Sequence, residues 1–208
     1  MALEKRSSGT NNSKVWDYIV SEIKKDHKGL AISGSPQVVS SPYGKAVWFN
    51  GERDGYFMEE NPLYGLSYFT IEAIFRPDID GPEEQRFLHI GGTDSDRLLL
   101  ETRLTPENMW FLDTFILCGE SKKAVIDPNL QHPAGRWYHV ALTLDKKGKM
   151  TNYVNGRMEL SGDVEFKPIN SGALSIGARR NRVSWFLGAI YRFRISPLVL
   201  EPKYFLKF

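Results

Sequence analysis

Glu72 and Glu101 each stand inside an alternating apolar stretch, with an arginine further along: Arg76 four residues on from Glu72, Arg103 two on from Glu101. Two carboxylates about 5 Å apart are what retaining glycoside hydrolysis needs, one as nucleophile and one as acid and base. On β-strands that separation requires residues two apart, or residues opposite each other on neighbouring strands. Glu72 and Glu101 can meet only as a cross-strand pair on one face. The same juxtaposition without catalysis gives a Glu and Arg surface for a sugar, or solvated cross-strand ion pairs. Glu59-Glu60 and Glu83-Glu84 are adjacent pairs in turns and point to different sides.

The densest cationic and aromatic cluster is Arg179-Arg180-Asn181-Arg182, followed by Trp185. Arginine grips carboxylate or sulfate with two parallel hydrogen bonds, and an indole offers a flat face to a sugar ring. That chemistry suits an acidic glycan; a solubilising loop is the alternative. His139 shares a strand face with Trp137 and Thr143, and no Ser or Cys is spaced to use it as a base. His27, His89, His132 and Cys118 have no zinc-ligand spacing. Cys118 is the one cysteine and lies in an apolar run, so it reads as a buried thiol.

A net charge of +2, with the arginines dispersed, argues against nucleic acid as a partner. No apolar run approaches the roughly 18 residues that span a bilayer. Residues 1–13 are polar and rich in Ser, Asn and Gly; they read as a disordered tail without the apolar segment of a secretion signal. The remainder, 14–208, shows no composition break or internal repeat and reads as one domain of a size all-β proteins commonly reach.

The elements that must position these residues are strands. Tyr138, Val140, Leu142 and Leu144 alternate with Trp137, His139, Ala141 and Thr143, the period of a half-buried strand. Lys146–Lys149 is a polar turn, and Asn155-Gly156 is a strong hairpin signal before a further strand at 157–161. Phe69, Ile71, Ala73 and Phe75 alternate with Thr70, Glu72, Ile74 and Arg76 up to Pro77. Segments 45–51, 86–90, 97–103, 109–117, 122–126, 172–177 and 185–196 are further strands separated by turn residues. Val15, Trp16, Ile19 and Ile23 recur at helical spacing and predict a short helix over 15–25. Many short strands without intervening helices imply an all-β, two-sheet antiparallel sandwich or a barrel.

Six pieces, in order, resemble the concanavalin A-like superfamily and its laminin-G-like jelly rolls: 44–51, 69–77, 135–141, 153–156, 174–177 and 186–190. Tyr191-Arg192 replaces the acidic pair that often follows the last of these. The resemblance implies a β-sandwich with one shallow concave outer face, and relatives that are lectins, protein-binding domains, hydrolases or lyases. Fold alone does not choose among them. The Glu-x-Asp-x-Glu and Glu-x-Asp-x-x-Glu motifs of the hydrolases are missing. The Arg-x-Glu-x-Arg and Gln-x-His patterns of the lyases are missing too, Glu101-Thr-Arg103 being a fragment of the first. The resemblance also implies an extracellular or periplasmic setting, and calcium as the usual cofactor, for which Asp54, Asp94 and Asp96 offer hard oxygens in turns. The expectation is non-catalytic binding of a polysaccharide or glycoconjugate on the concave face and rim loops, through Glu72, Arg76, Glu101, Arg103, His139, Arg179, Arg180, Arg182 and Trp185. The alternatives are a hydrolase or lyase built on Glu72 and Glu101, or a protein-interaction domain with no sugar site.

Overall fold

The computed structural model describes residues 14–207, so the expected disordered tail lies outside the described residues. In chain order the strands begin with β1 (Trp16–Ile19), β2 (Ala31–Ser33), β3 (Gln37–Ser41), β4 (Gly44–Asn50) and β5 (Gly55–Met58). Then come β6 (Phe69–Pro77), β7 (Glu84–Gly91), β8 (Arg97–Leu104), β9 (Met109–Cys118) and β10 (Ser121–Ile126). The last are β11 (His132–Pro133), β12 (Tyr138–Leu144), β13 (Lys149–Val154), β14 (Arg157–Asp163), β15 (Ala173–Ile176) and β16 (Leu187–Ser196). Sheet A runs β14-β13-β12-β6-β16-β4-β3 with β1 also on β16; sheet B runs β10-β9-β8-β7-β15-β5-β2 with β11 on β9. The pairings are antiparallel, as the alternating pattern requires.

Period two gives each sheet one apolar face, and the two apolar faces meet. Phe69, Ile71, Ala73 and Phe75 of β6 and Val140, Leu142 and Leu144 of β12 pack against Leu88, Ile90, Leu98 and Leu100 of sheet B. Aromatic rings clamp the layers: Phe75 of sheet A stacks on Phe87 of sheet B at 4.7 Å, with Trp110 edge-on at 5.3 Å. Each such fully buried side chain contributes on the order of 1.5–3 kcal/mol of transfer free energy. Asn155 and Gly156 both have positive φ, 50° and 74°, the primed turn that matches strand twist. Asn155 also accepts the His139 N–H through its side chain, tying the turn to β12.

The expected helix over 15–25 does not form. Residues 16–19 pair with β16, Trp16 opposite Ile195 and Ile19 opposite Arg192, and a single 3₁₀ turn follows at Val20–Glu22. β4 covers only the first part of that edge of β16, up to Ile190. The remaining backbone groups take up β1, while Asp17 forks onto Arg192 at 2.6 and 2.8 Å. Hydrogen bonds along an open strand edge outweigh a weak local helical period.

The outer face of sheet A is closed at one end by the C-terminal segment. Glu72, 0% exposed, faces outward into this cover, where its carboxylate is fully engaged. It accepts from Arg194 Nε at 2.6 Å and from the Leu206 N–H at 2.6 Å, and its Oε1 lies 3.0 Å from His139 Nε2. Phe205 packs against the His139 ring, with centroids 5.4 Å apart. Removing one partner of a buried charge pair typically costs 3–5 kcal/mol, because the other is left uncompensated. Glu72→Ala is expected to lower unfolding stability by about 3–5 kcal/mol, and Glu72→Gln by less. Urea denaturation checks this, and a loss below about 1 kcal/mol for the alanine would contradict it.

Candidate functional site

The outer face of sheet B carries the other charged group. Arg86 on β7, Glu101 on β8 and Asp113 on β9 are in register and form one row across three strands. Arg86 faces outward because the ladder slips between Arg86 and Leu88. Phe87 and Leu88 therefore both enter the core, and Arg86 and His89 both face out, the local result of a β-bulge. Leu98, Leu100 and Leu104 point inward from β8, leaving Arg97, Leu99, Glu101 and Arg103 on the outside.

Arg103 clasps Asp113 through Nε and Nη2 at 3.0 and 2.8 Å. It also reaches Glu84 at 3.2 Å and Glu101 at 3.6 Å. Arg86 Nε lies 3.0 Å from Glu101 Oε2, an ion pair whose alignment makes no hydrogen bond. The same arginine also holds Glu84 and Ser184. Arg97 lies over the Phe115 ring at 5.3 Å. Arg179 descends from the β15–β16 connection, where it donates to the Thr93 carbonyl at 2.7 Å. That connection holds two non-glycine residues in the left-handed region, Arg182 at φ 61° and Ser184 at φ 52°. Such conformations persist only where the surroundings enforce them, and here the Arg86 N–H donates to the Ser184 carbonyl at 2.9 Å.

Together these side chains line a trough of about 170 Å³ floored by Leu99 and Phe115. At Arg103 it opens into a wider, mostly apolar groove of about 660 Å³ beside Leu104, Phe111 and Ile126. Arg97 Nε, Arg179 Nε and Asp113 Oδ1 are buried without a hydrogen-bond partner in the protein. Leaving a buried polar group unsatisfied costs about 1–3 kcal/mol. The trough therefore offers donors and acceptors together to an incoming polar molecule.

Burial sets the protonation here. It pushes Glu101 up to about 7, with the Asp113 charge adding to the rise and Arg86 and Arg103 opposing it. Burial also raises Asp113 in spite of the Arg103 hydrogen bonds. Burial opposes ionisation of Glu84 as well, but Arg86 and Arg103 outweigh it and hold that carboxyl low. His89, on the same face, is pushed down to about 4 by burial and then by the charges of Arg179, Arg97 and Arg180.

Of the sequence-predicted site residues, Glu101, Arg103 and Arg179 come together in this trough. Glu72 does not: it lies on the opposite sheet under the C-terminal segment with His139, so the expected Glu72–Glu101 pair is excluded by the core between them. Arg76 is also on sheet A, where it clasps Asp78. Arg180 is spent on the carbonyls of Met58 and Leu174 at 2.9 and 3.1 Å and on Glu59. Arg182 lies over Phe57 at 4.8 Å, and Trp185 meets the same ring edge-on, so both sit towards β5. The turn aspartates serve their turns: Asp54 accepts the Ser35 N–H, Asp96 the Gly119 N–H and Asp94 the Thr93 hydroxyl. Among the described residues no group of three or more His, Cys, Asp or Glu is placed to hold a metal. Arg86, Arg97 and Asp113 were not singled out from the sequence. Arg97, Glu101 and Arg103 stand at even spacing in an apolar strand, a signal that reaches the first and third members; Arg86 is hidden by the bulge.

The titration carries a sign. Because Glu101 is raised from 4.5 to about 7, the folded chain binds the extra proton between those values. Its stabilising contribution is full below pH 4.5 and is lost as pH rises through 7. His89 acts oppositely, its contribution being lost as pH falls from 6.5 towards 4. The stability difference between the parent chain and Glu101→Gln isolates the carboxyl. It is expected to move in favour of the parent by about 3 kcal/mol as pH falls from 7 to 4.5. Denaturation series at several pH values measure it, and a difference independent of pH would contradict the assignment.

Comparison with solved structures shows the same architecture elsewhere. Domain 4 of AbnA, a GH43 extracellular arabinanase from Geobacillus stearothermophilus solved with arabinotriose, superposes with a TM-score of 0.61 at 20% identity, over 84% of each chain. The CBM40 of the Ruminococcus gnavus IT-sialidase, bound to α2,3-sialyllactose, matches with a TM-score of 0.55 at 19% identity, over 82% of this chain and 94% of that one. Tailspike protein 2 of an Escherichia coli O157:H7 bacteriophage matches at 0.59 and 18% identity, over 78% of this chain but 24% of its own. At these identities the likeness is one of fold. Among curated protein sequences none matches this chain. With residues 50–203 matching the laminin-G model described as the concanavalin A-like lectin/glucanases superfamily, the chain belongs to that family.

Proposed function

We propose that residues 14–208 act as one non-catalytic glycan-binding unit whose site is the trough on the outer face of sheet B. The observation that carries this is the set of buried, unpartnered Arg97 Nε, Arg179 Nε and Asp113 Oδ1 beside Glu101. A sugar presents hydroxyls that donate and accept at close spacing, and so can satisfy both kinds of atom at once. Leu99 and Phe115 supply the apolar floor on which a ring's C–H face rests. Four arginines face three carboxylates, and Glu101 is protonated in part near neutrality. The excess positive charge favours an acidic glycan, with Arg97 and Arg179 taking its carboxylate or sulfate. The groove beyond Arg103 gives room for further residues of the glycan chain. The carbohydrate ligands of the arabinanase domain and of the sialidase module support a sugar partner. The extracellular arabinanase and the phage tailspike support an extracellular setting.

A catalytic role is the alternative that one feature favours. Glu101 and Asp113 are opposite each other on neighbouring strands, and a carboxyl held near 7 suits a general acid. Reducing ends released from a polysaccharide panel by the parent chain, and abolished in Glu101→Gln and Asp113→Asn, would establish that role in place of simple binding.

For binding, calorimetry with oligogalacturonate, a heparin-derived hexasaccharide and α2,3-sialyllactose is the direct test. At least one is expected to bind, with Arg97→Ala and Arg179→Ala each weakening it about 10- to 100-fold, the worth of one charged hydrogen-bond partner. Affinity should also fall with added salt. No binding by any of the three, or binding that both substitutions leave unchanged, would sink the proposal.

A further inference from the structure

A second surface, on the outer face of sheet A and independent of the trough, is built from side chains of five separate segments. Trp48 of β4, Ala189 of β16 and Arg76 of β6 lie in one row, and Trp137 enters beside Arg76 immediately before β12. Asp78 bridges the row. It accepts from the Trp48 indole N–H at 2.9 Å and from Arg76 at 2.6 and 3.1 Å, closing over the fully buried Ala189. The Arg76 guanidinium in turn lies over the Trp137 ring at 5.7 Å. Tyr43 meets Trp137 edge-on at 5.8 Å and leans on Tyr191 at 5.6 Å. The indoles and the two phenol rings are thus held by polar and aromatic contacts before anything binds.

These rings are half-buried on a sheet's outer face, not in the core. They border a cleft of about 410 Å³ whose walls include Tyr43, Tyr191, Lys45 and Glu22, a volume within the range of small-ligand sites. The Tyr43 and Tyr191 hydroxyls make no hydrogen bond within the protein. Two features say what fits. Arg76 is already neutralised by its bidentate partner Asp78, so unlike the trough the platform has no uncommitted arginine to draw an anion. Flat apolar rings whose rims carry free hydroxyls, beside one lysine and one glutamate, match a molecule that is apolar on its faces and hydroxylated at its edges. We infer that this aromatic platform and its cleft are a second carbohydrate-binding site, one that takes a neutral oligosaccharide by stacking on Trp137 and Tyr191. The lipid and peptide alternatives fit less well, since the cleft is polar and the rings are not contiguous with a larger apolar patch.

The test follows the five tryptophan indole N–H signals by NMR, assigned through single Trp→Phe variants, while cellohexaose, laminarihexaose and arabinotriose are added in turn. At least one is expected to shift the Trp137 and Trp48 signals in a saturable way, leaving the buried Trp110 signal in place. Trp137→Ala and Tyr191→Ala should each weaken that binding at least 10-fold, with Trp137→Phe, which keeps a ring, weakening it less. Trp137→Ala should leave acidic-oligosaccharide binding at the trough as it was, so the two sites fail or stand separately. The inference is overturned if none of the three sugars moves these indoles, or if binding persists in the Trp137→Ala, Tyr191→Ala double variant shown by circular dichroism to be folded.

Discussion

The bulge at Phe87 is the feature on which both the core and the charged trough depend. In a regular strand, residues three apart lie on opposite faces, so Arg86 and His89 could not both leave the core. The slip in the β7–β8 ladder puts Phe87 and Leu88 inward together and resets the phase. Phe87 then reaches across the sandwich to stack on Phe75, while Arg86 is delivered to the row of Glu101 and Asp113. One irregularity of the backbone thus links the tightest contact between the sheets to the position of a cation on the outer surface. Its stability comes from the ring stack, and its consequence is read on the far side of the sheet.

The two outer faces treat a buried glutamate in opposite ways. Glu72 has three partners and a cover, and a fully satisfied buried network fixes a structure without calling for a ligand. Glu101 is as deeply buried at 2% exposed, yet its nearest cation, Arg86, is misaligned and its neighbours leave donors and acceptors unpaired. A partly satisfied network is destabilising by itself, so its retention points to use in binding. Both carboxylates look alike as residues in alternating strands; their surroundings make one structural and the other a candidate site.

Much of the scaffold is legible in the chain. The alternation around Tyr138 to Leu144 and Phe69 to Phe75, and the Asn155-Gly156 turn, depend only on neighbours in sequence, and they appear as expected. The failures are non-local. Trp16 to Ile19 has a helical spacing that loses to the free edge of β16, which lies some 175 residues away. Period two says that Glu72 and Glu101 face away from the core, but not which sheet each strand joins, and they belong to different ones. Trp137 and Arg76 stand out in the sequence only as members of separate strands. Their meeting with Trp48 and Tyr43 requires the strand order β12-β6-β16-β4. Arg86 is concealed because a bulge leaves no mark in an apolar pattern until both partners of the strand are known.

The claim at the centre of this account is that an acidic glycan lies across β7, β8 and β9. Backbone amide shifts of the ¹⁵N-labelled chain, recorded during titration with oligogalacturonate, the heparin-derived hexasaccharide and α2,3-sialyllactose, locate the contact directly. The account predicts saturable shifts concentrated at Arg86, Arg97 to Arg103, Asp113 to Phe115 and Arg179, with sheet A unmoved. Shifts confined to sheet A, or none with any of the three, would contradict it.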